Sequence, residues 1–243
     1  MRGLLSVYRR EVKSYFSTPV AYVFFVIFLF FSAFLAFQEG FLQSRQATLR
    51  AFFSNMPLLF LFLVPAIAMR LWAEERRSHS IELLFTLPIT TPQAVLAKFG
   101  AALTVLTLAI ALTFPMVVTV CYLGDPDWGP IITGYFGCVL MSAAYLAISG
   151  FFSALSRNQV IAFILAAVVC GIFVLSGSPS VTGFVARYLG NGMAEAVEVF
   201  SFQSRFESIQ RGVLELRDLA FFVLLVAGWL WATIVVLEER KAA

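Results

Sequence analysis

Residues 20–37 read VAYVFFVIFLFFSAFLAF, a run with no charge and seven Phe. A helix of that length rises about 27 Å, close to the ~30 Å hydrocarbon thickness of a bilayer. Five more apolar runs follow at 51–72, 99–123, 131–155, 160–176 and 219–237, of which 160–176 is the shortest. The whole chain of 243 residues is 60% hydrophobic and 13% charged. Soluble domains carry about 25% charged residues. The sequence therefore predicts an all-α integral membrane protein with six transmembrane helices. Pro57, Pro65 and Pro115 fall inside the runs. In a bundle, neighbouring helices satisfy the carbonyls that a proline frees, so kinked and not broken spans are expected.

Ahead of the first span lies an amphipathic stretch. Leu4, Leu5, Tyr8, Val12, Tyr15 and Phe16 fall on one helical face, and Arg9, Arg10, Lys13 and Ser14 on the other. Such a helix lies along a membrane surface. Thr18-Pro19 ends it, because the residue before Pro avoids the α region. Basic residues before an apolar run also mark secretory signals. Here the run is 18 residues long, lacks an A-x-A site and is followed by five further spans. The expected organisation is an interface helix at 1–18 and a six-helix transmembrane domain at 19–243.

Six spans put both termini on one side, and Lys and Arg choose the side. The N-terminus, the 70–98 loop, the turn at Arg157 and the C-terminus hold eleven: Arg2, Arg9, Arg10, Lys13, Arg70, Arg76, Arg77, Lys98, Arg157, Arg240 and Lys241. The opposite segments hold six: Arg45, Arg50, Arg187, Arg205, Arg211 and Arg217. The bias predicts cytoplasmic termini.

The cytoplasmic segment at 73–98 opens with AEERRSHSIELLFTLP over 73–88. Ser78 or Ser80 can cap a short helix whose apolar edge is Ile81, Leu84 and Phe85. Apolar residues flanked by charges suit docking into a groove on another protein. By composition alone a solvated connector fits equally. His79 is the only His, and alone it builds neither a metal site nor a catalytic triad. The outer segment at 177–218 divides at the turn signal Gly190-Asn191-Gly192. Ser204 with Glu207 reads as a capping box, and Gly212 sits where a C-terminal cap belongs. Two or three short helices at the outer leaflet are expected.

Several chemistries find no residues here. The lysines are Lys13, Lys98 and Lys241, none preceded by Gly, so no phosphate-binding P-loop exists. No span carries an Asp, Glu, Lys, Arg or His near its middle, which argues against a proton- or ion-coupled carrier and against a membrane enzyme. Cys121, Cys138 and Cys170 lie in apolar segments without paired spacing and read as small packed hydrophobes. Gly134, Cys138 and Ser142 form a small-residue row in the fourth span, and Ala162, Ala166 and Cys170 one in the fifth. Such rows let helix backbones approach closely.

Three patches resemble the ABC-2 type permeases, most nearly the gliding-motility and copper-processing branch. Tyr8-Arg9-Arg10-Glu11 through Thr18-Pro19 resembles the family's N-terminal interface helix. Ala73-Glu74-Glu75-Arg76-Arg77, with Ile81-Glu82-Leu83-Leu84 and Pro88, resembles its coupling segment. Where the family usually has Gly-Thr after the basic pair, this chain has His79-Ser80. Phe206-Glu207-Ser208, Arg211-Gly212-Val213 and Arg217-Asp218 resemble its outer signature before the last span.

The resemblance implies a type V exporter-like bundle in a bacterial inner membrane. It would work as a pair with a second permease copy or a related membrane subunit. A cytoplasmic ABC ATPase would bind the ATP and Mg, and this chain no cofactor. The coupling residues would be Arg9, Arg10, Glu74, Glu75, Arg76, Arg77, Ile81, Glu82, Leu84, Phe85 and Arg157. Two functions fit these parts. One is a permease that moves an amphiphilic or lipid-linked substrate. The other is a mechanical transmitter that drives a periplasmic or membrane partner without solute transport. No nucleic-acid partner is expected.

Overall fold

The protein's structure, a computed structural model, describes residues 2–38, 48–77 and 89–242. Every regular element among them is a helix. Helix α1 (Arg2–Ser17) stops where Thr18 bends the chain, and Pro19 opens α2 (Pro19–Gln38), the first span. The second span is interrupted twice, into α3 (Arg50–Ser54), α4 (Met56–Ala68) and α5 (Arg70–Arg77). The third breaks once, into α6 (Thr91–Ala111) and α7 (Phe114–Leu123). Next come the fourth, α8 (Trp128–Leu155), and then α9 (Gln159–Leu175). Three short helices precede the last span: α10 (Pro179–Leu189), α11 (Asn191–Val199) and α12 (Phe202–Gln210). The chain finishes in α13 (Leu216–Ala242).

Among the described residues, five helical stretches are long and apolar enough to cross a membrane: Ala21–Gln38, Met56–Arg77, Thr91–Leu123, Trp128–Leu155 and Leu216–Glu239. The span expected at 160–176 is α9, which reaches that length only together with α10, across a 74° bend. The bend has a local cause. Helix α9 alone rises about 26 Å, and the chain then restarts at Ser178, whose hydroxyl caps Val181 N, with Pro179 in the first turn.

Two boundaries differ from the sequence reading. The second span runs on to Arg77, and the third begins at Thr91, so Glu74 to Arg77 and Lys98 sit on helices and not in a loop. A capping box explains the early start. Thr90 caps the third residue's N–H, and Gln93 Oε1 accepts from Thr90 N at 3.4 Å. The box expected at Ser204 is likewise displaced. Ser201 is the residue that caps α12, accepting from Ser204 N at 3.2 Å. Gly190 and Gly212 both have φ of +90°, and each follows a helix end, as the turn signals suggested.

Helix α8 is the central post. It packs against α4, α5, α6, α9, α12 and α13. Its glycines admit neighbours directly: a Cβ at Gly134 would sit 2.5 Å from the Phe53 ring, and one at Gly137 would sit 2.8 Å from Ile209. Cys138 and Ser142 of the expected row are buried, as are Ala162, Ala166 and Cys170 of α9. Cys121, by contrast, is exposed on α7.

Helix α8 also places a hydroxyl at each helix interruption. Tyr145 Oη donates to Pro57 O at 2.8 Å, beside the turn at Asn55. Ser153 Oγ accepts from Trp72 N and Ala73 N at 3.0 and 3.1 Å and donates to Met69 O at 2.9 Å, at the α4–α5 junction. Tyr135 Oη meets Thr113 Oγ1 at 2.9 Å, where α6 gives way to α7 just before Pro115. Kinked spans therefore persist because a neighbour supplies the missing partners.

Helix α1 packs along α6, with Tyr8 over Gly100 and its hydroxyl 2.8 Å from Thr104 Oγ1. Its inward face keeps most of the apolar stripe read from sequence: Leu4, Tyr8, Val12, Tyr15 and Phe16 are partly buried. Val7 joins them and Leu5 is 48% exposed, because the helix turns Glu11 toward the bundle. The outward faces of α2, α9 and α13 are lined with Phe30, Ile172, Leu224 and Trp231, all more than 60% exposed, as lipid-facing surfaces are.

Replacing Gly137 by Val should push α12 off α8 and destabilise the protein by about 2 kcal/mol, the usual range for overpacking. Gly183, with nothing within 4 Å of its Cβ position, should accept Ala with little change. Thermal melting of both variants in detergent micelles measures the difference.

Candidate functional site

Most of the predicted site residues collect at the two ends of the bundle. At the α1 end, three helices meet around one lysine. Lys98, in the second turn of α6, is 3% exposed at its side chain and lies 2.8 Å from Glu75 Oε1 and 3.3 Å from Glu11 Oε2. Arg10 joins at 3.0 Å from Glu11 and 4.0 Å from Glu75. The ammonium also stands 5.2 Å from the centre of the buried Trp72 ring, within cation–π range. Lys98 and the two carboxylates are thus largely shielded from solvent, while Arg10, 54% exposed, balances them from the rim. Burial, with Glu11 beside it, pushes the Tyr15 phenol up, so it stays neutral there.

The geometry is a three-way tie. Glu11 comes from α1, Glu75 from the end of α5, and Lys98 from the start of α6. Helices α5 and α6 flank residues 78–88. Expected coupling residues Ile81, Glu82, Leu84 and Phe85, with Ser78, His79, Ser80 and Pro88, lie outside the described residues.

The other expected coupling residues have distinct environments. Glu75 faces inward and is 18% exposed, so it holds the helices together. Glu74 is half-exposed and pairs with Arg70 at 2.8 Å. Arg76 Nη1 donates to Leu155 O at 3.5 Å, which brings the end of α8 to the same site. Arg9, Arg77 and Arg157 are exposed.

The sequence reading missed Lys98 and Glu11 as site residues. Lys98 was counted as a loop charge, and the helix start at Thr90 with Gln93 was the available signal that it lies inside a helix. Glu11 stood within the resembling patch but between basic neighbours that masked its inward direction.

At the far end, the outer-signature residues divide into core and surface. Phe206 is 1% exposed and packs against Phe53 and over Gly137. Asp218 is 2% exposed and pairs with Arg205 Nη1 at 2.9 Å. Arg205 also reaches Val199 O at 3.3 Å and lies over the Phe221 ring at 5.8 Å. Glu207 bonds Arg211 at 2.6 Å. Gly212 provides the left-handed turn that lets the chain pass against Pro130. Arg217 is exposed. Arg205, the partner of the buried Asp218, was not in the expected set.

The lysine tie generates a direct test. Replacing Lys98 by Met leaves two carboxylates facing each other in the buried corner, and should cost about 3 kcal/mol of stability. Adding Glu75→Gln to that variant should recover part of the loss. A double-mutant cycle on melting temperatures in micelles reads the coupling.

A family model described as "ABC-2 family transporter protein" matches residues 38–237, most of the chain. The match takes in α3 to α12 and nearly all of the last span, and so includes Glu75, Lys98 and the outer-signature residues. No curated protein matches the chain. With its all-helical bundle of apolar spans and this match, the chain belongs to the ABC-2 family of transporter membrane proteins.

Proposed function

We propose that the chain is the permease of an ABC system, driven by a separate cytoplasmic ATPase that binds the ATP and Mg. The Lys/Arg bias supports placing the α1 end and both termini on the cytoplasmic face of a bacterial inner membrane. The observation that carries the reading is the buried Lys98 tie. A push on α1, or on the segment between α5 and α6, reaches the second and third spans together. The exposed Arg9, Arg77 and Arg157, with half-exposed Glu74, surround this tie and supply the docking charges. Ligand-driven closure of two ATPases would tilt two such bundles, a two-state element biased by nucleotide. The second bundle is another copy or a related subunit. The apolar spans suit an amphiphilic cargo better than a naked ion.

The purified chain alone should hydrolyse no ATP and should co-purify with an ABC ATPase expressed from a neighbouring gene. Charge reversal of the exposed residues, as Arg77→Glu with Arg157→Glu, should weaken that complex about tenfold while leaving the melting temperature unchanged. An unaltered complex with an unaltered ATPase rate would refute the docking assignment. Flux of labelled amphiphiles into vesicles then separates a permease from a mechanical transmitter, which would show ATPase stimulation by a periplasmic partner and no flux.

A further inference from the structure

At the far end of the bundle a cavity of about 260 Å³ opens between the start of α3, the start of α8 and the end of α12. Its apolar wall includes Phe53 and Ile131, both buried. Its polar side is unusual. Arg50 and Arg211 line it, and both guanidinium groups converge on one Glu207 oxygen, at 3.9 and 2.6 Å. One carboxylate thus serves two cations, each more than 60% exposed. The same cavity is lined by Asp127 and Gln210. Gln210 Oε1 is shut off from solvent and accepts no hydrogen bond among the described residues. Exposed Trp128 stands at the start of α8, the position of an interfacial aromatic.

We propose that this cavity binds the headgroup of a zwitterionic aminophospholipid. The phosphate sits on Arg50 and Arg211, whose forks suit its oxygens. The primary ammonium faces Asp127, whose Oδ1 also accepts from Gly129 N at 3.0 Å as the cap of α8. Phe53 and Ile131 meet the glycerol region. The charges match: one surplus cation beyond Glu207 for the phosphate, one carboxylate for the ammonium. A choline headgroup has no N–H to give the Asp127 carboxylate, and a glycerol headgroup has no cation for it. The proposal rests on membrane residence and not on ATPase docking, so either can fail without the other.

The test is native mass spectrometry of the full chain in detergent, with dioleoyl phosphatidylethanolamine, phosphatidylcholine and phosphatidylglycerol supplied at equal concentration. Phosphatidylethanolamine should be retained about tenfold better than the other two, the discrimination expected of one hydrogen bond to a charged group. The Arg50→Ala, Arg211→Ala double variant should lose that retention. Asp127→Asn, which removes the charge but still caps α8, should lower phosphatidylethanolamine to the phosphatidylcholine level while preserving the fold, and it carries the test alone if the double variant does not purify. Arg217→Ala, an exposed arginine outside the cavity, should change nothing. Equal retention of the three lipids, a preference for phosphatidylglycerol, or an equal loss in Arg217→Ala would each overturn the assignment.

Discussion

Everything in this bundle depends on one requirement: in lipid, each backbone N–H and C=O must find its partner inside the protein. The chain interrupts its second span at Met69, which frees backbone groups at Met69, Trp72 and Ala73. Helix α8 answers with Ser153, Tyr145 adds a bond to the carbonyl of Pro57, and Tyr135 holds the side chain of Thr113 at the break in the third span. The small residues between those hydroxyls allow the approach that makes the bonds possible. Gly134 and Gly137 bring Phe53 and α12 against the post. Packing and hydrogen bonding are therefore not separate contributions here. The glycines set the distance and the hydroxyls exploit it.

Charge is handled by the same economy. The described spans bury Lys98 near one end and Asp218 near the other, and each has an ionic partner from a different helix. A buried charge that loses its partner costs several kcal/mol, whereas an exposed pair such as Glu74 with Arg70 contributes little. The two buried pairs consequently hold helices together where lipid packing alone provides no directional force. One ties α1 to two spans, and the other ties α12 to the last span.

Much of this was legible in the chain itself. Mean composition and run length identified a membrane protein, since bilayer thickness dictates span length. Gly190 and Gly212 marked turns because only glycine takes φ of +90° without strain. Thr18-Pro19 separated α1 from α2. Other features resisted. The ends of the second and third spans were placed too near the apolar run, because a helix continues into polar sequence when its charges pair sideways, as Glu75 does with Lys98. The inward turn of Glu11 was hidden for the same reason: apolar periodicity ranks Leu5 as core, and only the tertiary position of a lysine 87 residues beyond Glu11 decides otherwise. Ser153 carries no pattern at all. A lone serine in an apolar helix looks like filler until the break it faces is located. The 74° corner after α9 arises at Ser178-Pro179, just past the position where the apolar run itself ends.

The third span is longer than a bilayer is thick. Thr91–Leu123 is 33 residues long, a contour of about 50 Å, well beyond the ~30 Å of hydrocarbon. The surplus must be absorbed by tilt or by projection past the headgroups. Lys98 lies about 10 Å from the start of that helix, a distance smaller than the surplus. The corner that ties α1 to the spans therefore needs no place in the middle of the hydrocarbon, where an ammonium is costly.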